Sequence, residues 1–142
     1  MKAEKKRLMT FVFYLISTAV LVAFDQWTKA LAVNALKGQK DIELIPGVLS
    51  FHYLENTGAA FGIFQDQKIF LLVLTTIIIL CVCYVLWRIP SDRKYIFLKI
   101  LCFMVTAGGL GNLIDRVRLN YVVDFIYFSL IDFPVFNVAD IY

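Results

Sequence analysis

Histidine, charge and the usual catalytic motifs are scarce in this sequence, and each shortage excludes a class of site. One histidine among 142 residues argues against a three-ligand zinc centre of the usual kind, and HExxH is absent. GxSxG, Walker A, GxGxxG and GxGD are absent too, which removes sequence support for a serine hydrolase elbow, a nucleotide loop or a presenilin-type site. Charged residues make up 18%, below the roughly 25% of soluble domains.

Apolar residues are abundant and occur in long runs. They make up 61% of the chain, against roughly 45–50% in soluble domains, and the mean hydropathy is +0.77. The runs 8–24, 69–87 and 95–114 each approach the roughly 20 residues that a spanning helix needs. Lys99, near the start of the third run, can extend toward the headgroups. The sequence therefore predicts an α-helical integral membrane protein with three complete spans.

The first run follows a basic stretch, as a cleaved signal peptide does. It exceeds the usual 7–15 residue apolar region and no A-x-A-like site follows, which favours a retained span. Basic residues flank span one and fill the link between spans two and three: Lys2, Lys5, Lys6, Arg7, Arg88, Arg93 and Lys94. The positive-inside rule places both flanks, and so the N-terminus, in the cytoplasm. The net charge of +3 then reflects topology, and no nucleic-acid partner is predicted.

The cysteines Cys81, Cys83 and Cys102 fall inside the spans, where a buried apolar role is expected and no disulfide framework is implied. Asp25 and Lys29 follow span one at i and i+4, so a continued helix pairs them on one face. Two interpretations stay open for this pair: an interfacial ion pair that anchors the helix end, or a direct role toward a substrate.

Residues 38–66 contain short runs of β-type residues around a Pro46-Gly47 turn signal, and predict a small antiparallel sheet on the outer leaflet. The stretch ENTGAAFG (55–62) places Asn56 before three tiny residues. It is either an ordinary Asn-Thr-Gly turn or a place where backbone approaches another group closely.

Span three ends in AGGLGNLIDR. On a helix, Gly108, Asn112 and Asp115 lie at i, i+4 and i+7 on one face, with Arg116 beside them. Polar groups that point into a membrane bundle are functional candidates, although helix–helix hydrogen bonding is the alternative.

The segment 121–142 is almost wholly aliphatic or aromatic, yet it carries Asp124, Asp132 and Asp140. A carboxylate is costly in apolar surroundings unless it is paired or protonated. Asp132 precedes Phe-Pro and is interpreted as a solvated loop residue. Spacing alone does not bring Asp124 and Asp140 together. It predicts that carboxylates collect at the outer end of the bundle. Two close carboxyls would hold one proton between them and could hydrolyse an amide through a bound water, without a cofactor.

Five motifs in series resemble those of the lipoprotein signal peptidase (signal peptidase II) family, and the resemblance covers the whole chain. They are DQWTK (25–29), ENTGAAFG (55–62), GGLGNLIDR (108–116), VVDF (122–125) and FNVAD (136–140). The resemblance implies an aspartic peptidase of the bacterial cytoplasmic membrane, monomeric and free of metal and cofactor. It implies cleavage of prolipoproteins just before a diacylglyceryl-modified cysteine, at the outer face, with membrane lipid as the other partner.

The resemblance also implies roles for individual residues. The catalytic pair is Asp124 and Asp140. Polar contacts around the substrate and the pair are expected from Asn56, Asn112, Arg116 and Asn137. Supporting residues are Asp25, Lys29 and Asp115. The rival interpretation is a non-catalytic membrane protein whose charged residues bind lipid headgroups or protons.

The family fold that the resemblance implies is a four-helix bundle with an extracytoplasmic β-sheet cradle, expected here at about 38–66. One membrane-embedded domain covers 1–142. The sequence contains only the start of a fourth span, at about 134–142, because Tyr142 lies two residues past Asp140. The activity of a chain with a truncated fourth span is an open question at this point.

Overall fold

Three long helices dominate the protein, which is described here from a computed structural model covering residues 2–59, 63–90 and 92–142. Helix α1 spans Lys2–Leu36, α2 spans Lys68–Arg88 and α3 spans Ile96–Leu119. Each contains a segment long and apolar enough to cross a membrane. The three predicted spans are therefore confirmed, and a bilayer accounts for large apolar side chains such as Phe97, which is 78% exposed on the protein surface.

Helix α1 continues for twelve residues past the apolar run that ends at Phe24. It does so because the polar residues that follow are buried against α3. Asp25 and Lys29 form the i, i+4 ion pair expected from the sequence, with Lys29 Nζ 2.9 Å from Asp25 Oδ2. This polar extension carries α1 up to the candidate active site.

A three-stranded antiparallel sheet lies at the same end of the bundle, in the order β1-β2-β3. Strand β1 is Ile42–Ile45, β2 is Leu49–Asn56 and β3 is Val122–Tyr127. The predicted turn joins β1 to β2, and Gly47 has the positive φ of 70° that this turn requires. The third strand comes from the apolar segment after α3, where no strand was expected.

The sheet is fixed to α1 by a small apolar core. Ala32 and Leu36 of α1 contact Val123 and Phe125 of β3, and all four are buried. Val122–Phe125 are buried on both faces of β3, which explains why VVDFIY is apolar apart from Asp124 and does not alternate. The register of β3 is thereby fixed beside α1.

Helix α4 is short, Val138–Ile141, and packs against α3 and α1. A Cβ atom at Gly108 of α3 would collide with the carbonyl oxygen of Ala139, so glycine is required for this approach. The Tyr142 hydroxyl donates to the Leu21 carbonyl of α1 at 3.2 Å. Residues 134–142, expected to begin a fourth span, thus include a helical turn docked on the bundle.

Candidate active site

Asp124 lies in the middle of β3 and is 2% exposed. Each of its carboxylate oxygens accepts one hydrogen bond, from Asn137 Nδ2 at 2.6 Å and from Asn56 Nδ2 at 2.8 Å. Burial raises the pKa of Asp124 from 3.8 to about 6; the bond from Asn56 opposes the shift and the charge of Asp140 adds to it. Asp124 therefore takes up a proton far more readily than an ordinary aspartate.

Asp140 reaches the same place from the first turn of α4. Its Oδ2 accepts a hydrogen bond from the Asn137 backbone N–H at 3.0 Å, while Asn137 Oδ1 accepts one from the Asp140 N–H at 3.2 Å. The two residues form a capping box, which starts the helix. Asp140 Oδ1 accepts a bond from Asn112 Nδ2 at 2.8 Å. One hydrogen bond to each oxygen holds the Asp140 carboxylate in place, although the residue itself is exposed.

Asn137 links the two carboxylates. It is fully buried, and its Nδ2 donates to Asp124 and also to Asn112 Oδ1, at 3.1 Å. Because Asn112 in turn donates to Asp140, the two carboxyl groups belong to one hydrogen-bond network. The spacing of Asp124 and Asp140 in the sequence could not establish that they meet, whereas the fold brings them together.

Lys29, Asp25 and Asp115 form a buried ion triad behind this network. Lys29 Nζ lies 2.9 Å from Asp25 and 3.0 Å from Asp115, and it donates to Asn112 Oδ1 at 2.9 Å. Exposure of the three side chains is 4% or less. The triad thus touches the carboxylate network through Asn112 and lies away from solvent.

Each carboxylate of the triad also holds one backbone N–H next to a candidate catalytic residue. Asp115 Oδ2 accepts from the Val123 N–H at 3.2 Å, one residue before Asp124. Asp25 Oδ1 accepts from the Ala139 N–H at 3.0 Å, one residue before Asp140. The triad therefore fixes β3 and α4 relative to each other through a shared lysine.

Gln26 donates hydrogen bonds to both carboxylates of the ion triad and was not predicted as a site residue. Its Nε2 donates to Asp115 at 2.8 Å, and to Asp25 and the Gly111 carbonyl at 3.2 Å each. It lies within DQWTK, directly after a predicted span. One signal in the sequence could have indicated it: Gln26 is a hydrogen-bonding residue between the charged residues Asp25 and Lys29, just past an apolar run.

A cleft of about 310 Å³ opens onto the carboxylates. The polar side chains on its wall are Asn56, Asn112, Arg116, Asp124 and Asp140, and the segment 133–136 supplies apolar surface. Asn137 lies behind this wall. Both carboxyl groups therefore line a cleft that has polar and apolar walls.

Arg116 and the loop after β2 form one side of the cleft. Arg116 Nη2 donates to the Gly58 carbonyl at 3.0 Å, and its buried Nε has no hydrogen-bond acceptor among the described residues. Asn56 Oδ1 accepts from the Gly58 N–H at 2.9 Å, and a Cβ at Gly58 would lie 2.7 Å from the Ile63 carbonyl. The first four residues of ENTGAAFG thus form a turn, and they also bring the Gly58 backbone close to that of Ile63. Residues 60–62 of this motif lie outside those described.

The remaining acidic and sulfur-containing candidates lie away from the carboxylate network. Asp132 is exposed and accepts a hydrogen bond from the Tyr127 hydroxyl at 2.7 Å. Cys83 is half-buried and its Sγ is 3.8 Å from the Tyr14 hydroxyl, within the bundle. In the part of the chain that the structure describes, no group of three or more His, Cys, Asp or Glu side chains could hold a metal ion.

The fold and the site together define a class of protein: a multi-pass membrane protein in which two carboxyl groups share one hydrogen-bond network at the mouth of a cleft. Comparison with known proteins narrows this class. A profile of the family described as signal peptidase (SPase) II matches residues 17–142. The chain belongs to this family of lipoprotein signal peptidases.

Curated relatives share most of their length with the chain. The lipoprotein signal peptidase of Enterococcus faecalis is 43% identical over 129 residues, covering 91% of this chain and 79% of the relative. That of Streptococcus thermophilus is 41% identical over 127 residues, covering 89% and 82%. A bacterial membrane enzyme solved by the in meso method has a TM-score of 0.78 at 34% identity, covering 90% of this chain and 83% of that one. The protein is therefore a bacterial multi-pass membrane protein of a peptidase family.

Proposed function

We propose that this protein is an aspartic endopeptidase that removes signal peptides from diacylglyceryl-modified prolipoproteins, with Asp124 and Asp140 as its catalytic residues. Cleavage would fall just before the lipidated cysteine. The observation that carries the proposal is the network in which Asn137 bonds both carboxylates while the buried Asp124 has a pKa of about 6. At pH values below about 6, where Asp124 takes up a proton, the pair would hold that proton between its members.

The chemistry follows from this shared proton. One carboxyl, as a base, takes a proton from a water molecule, which attacks the carbonyl carbon of the scissile peptide. The other carboxyl gives its proton to the carbonyl oxygen. As the tetrahedral intermediate collapses, the carboxyl that took the proton from water passes it to the leaving nitrogen, the other carboxylate takes back a proton from a hydroxyl of the intermediate, and the C–N bond breaks. We assign the proton to the pair as a unit, because Asp124 and Asp140 are joined through Asn137 and Asn112.

Substrate would bind in the cleft. Arg116 lines the cleft and is oriented by the bond from Nη2 to the Gly58 carbonyl, so its remaining guanidinium N–H groups would donate to a substrate carbonyl. Asn56 would keep Asp124 in place while the apolar segment 133–136 contacts the signal peptide or the acyl chains. A diacylated cysteine stays at the membrane surface, so the carboxylates must be held at that depth, with apolar neighbours around them.

We also propose that the N-terminus lies in the cytoplasm and the cleft at the outer face. The basic residues that flank α1 and join α2 to α3 support this orientation. The sheet would then rest on the outer leaflet, where lipoprotein precursors emerge.

A gel-shift cleavage assay in detergent tests the proposal. The substrates are a diacylglyceryl-modified prolipoprotein and its unmodified form. Asp124→Asn and Asp140→Asn should each lower turnover by roughly 10²–10⁴-fold, the usual contribution of acid–base catalysis. Both variants should still be recovered as folded protein, since Asn preserves side-chain volume.

Asp132→Asn is the matched control, because Asp132 is exposed and outside the carboxylate network. Its turnover should equal that of the unchanged protein. Equal cleavage of lipidated and unmodified substrate would refute the lipid requirement. Full activity in either Asp124→Asn or Asp140→Asn would refute the assignment of the pair.

A further inference from the structure

A second cavity, of about 350 Å³, lies at the end of the bundle away from the carboxylates. It opens between α1 and α2 and reaches Lys99 on α3. Arg7, on its wall, precedes Asp25 by about five turns of α1, or roughly 27 Å along the helix axis. This cavity is therefore separate from the proposed peptidase cleft.

The described lining of this cavity contains two cations, Arg7 and Lys99, and no carboxylate. Arg7 Nη2 donates to the Trp87 carbonyl at 2.7 Å, and its guanidinium lies 4.0 Å from the centre of the Trp87 ring. These two contacts fix the guanidinium while most of its N–H donors stay available. The charge of this lining favours an anion, and Asp92 lines only the neighbouring cavity that Lys99 also borders.

Lys99 strengthens this selection. It is half-buried in a helix whose neighbouring residues are apolar, and no carboxylate among the described residues lies within ion-pair distance of it. An ammonium group at the edge of a bilayer is stabilised when a counter-ion joins it. A ligand with a negative headgroup would supply that counter-ion.

Most of the remaining lining is apolar and includes Leu8, Phe11 and Leu86, while Thr10, Tyr14 and Cys83 also contribute to it. The apolar walls run along the helices beneath the two cations, in the direction that a lipid chain takes in a bilayer. Trp87, which is 59% exposed, has the amphipathic ring typical of the boundary between headgroups and acyl chains. An anionic head above an apolar tail matches this arrangement, whereas a small inorganic anion would leave the apolar walls uncovered.

We propose that this cavity is a binding site for an anionic glycerophospholipid. The phosphodiester lies between Arg7 and Lys99, and one acyl chain follows Phe11 and Leu86. Basic pockets between membrane helices bind anionic headgroups by this chemistry. The inference does not depend on the proposed peptidase activity, because it uses none of the cleft residues.

Quenching of tryptophan fluorescence by brominated lipids tests the site. The sequence has two tryptophans, so Trp27→Phe leaves Trp87 as the single reporter beside the cavity. The protein is reconstituted in phosphatidylcholine bilayers, and phosphatidylglycerol with brominated chains is compared with brominated phosphatidylcholine. The association constant at Trp87 should favour the anionic lipid. Lys99→Gln should lower that preference by about fivefold, the effect of one basic residue at an anionic surface.

Two further variants separate the site from a general charge effect. Arg88→Gln removes a cation at the same end of the bundle, where Arg88 bonds Tyr84 at 2.9 Å outside the cavity lining, and should leave the preference unchanged. Lys99→Arg keeps the charge and should keep the preference. Equal quenching by both lipids, an equal loss in Arg88→Gln, or a loss in Lys99→Arg would each overturn the proposal.

Discussion

Replacing Lys29 with methionine tests the ion triad behind the candidate active site. Lys29 is the one partner shared by Asp25 and Asp115 through ion pairs of 2.9 and 3.0 Å. Methionine has a similar unbranched shape, so the change removes charge and hydrogen bonds with little change in packing. Two buried carboxylates would then lack their cation.

The expected cost is large. Removing one partner of a buried ion pair destabilises a protein by about 3–5 kcal/mol, because the other charge stays buried without compensation. At that magnitude the midpoint of thermal unfolding falls by on the order of 10 °C. Turnover should fall as well, by about 10²-fold, because Lys29 also orients Asn112, which bonds Asp140, and small displacements near reacting groups are that costly.

Thermal unfolding in one fixed detergent, followed by loss of helical circular dichroism, measures the stability change. Lys37→Met is the matched control: Lys37 pairs with Glu55 at 2.8 Å, a similar distance, but the two side chains are 53% and 40% exposed. Exposed pairs contribute little, so Lys37→Met should unfold with the unchanged protein. Identical unfolding curves for Lys29→Met and Lys37→Met would refute the reasoning from burial.

Two further predictions concern Asp124 and the contact between α3 and α4. Burial raises the pKa of Asp124 from 3.8 to about 6, so its contribution to stability is fully present below about pH 4 and is lost as pH rises through about 6. Relative to Asp124→Asn, the free energy of unfolding should fall by about 3 kcal/mol over that window, at about 1.36 kcal/mol per pH unit; a pH-independent difference would contradict the shift. Gly108→Ala should displace Ala139 and with it Asp140, and so lower turnover more than Gly109→Ala, whose new Cβ would meet side-chain atoms, of Ile79 at 3.2 Å and of Thr75 at 3.5 Å, and no backbone; equal effects would argue against the close contact.

The spans could be predicted because their signal is local. Residues 69–87 form an uninterrupted apolar run, and the helix there, Lys68–Arg88, needs no information from elsewhere in the chain. The end of α1 was harder to predict. Its last twelve residues are stabilised by partners on α3 that are more than eighty positions away, such as Asp115 for Gln26 and Lys29. The hydropathy of a local sequence segment contains no information on such partners.

Strand β3 and the hydrogen-bond network of the two carboxylates also depend on partners that are distant in the sequence. The first four residues of VVDFIY are buried whichever face they point to, so the stretch lacks the alternation that marks an ordinary strand. Asp124 meets Asn56 because β2 pairs with β3, with Leu54 opposite Asp124 and Asn56 two residues further along β2, and it reaches Asp140 through Asn137. The candidate site residues could be selected from sequence motifs, and the resemblance of these motifs to a family supplied the expected roles. The hydrogen bonds among these residues could be established only from the folded structure.

The capping box at the start of α4 has a consequence for how the site would respond to mutation. The hydrogen bonds that start this helix, between Asn137 and Asp140, are also bonds that aim the Asp140 carboxylate. Helix formation and assembly of the carboxylate pair are therefore one equilibrium. A substitution that weakens the cap would reduce the fraction of molecules with an assembled site, while each assembled molecule keeps its full rate. Such a variant would lose apparent activity in proportion to the population of unwound α4, and a ligand that favours the assembled site would restore it.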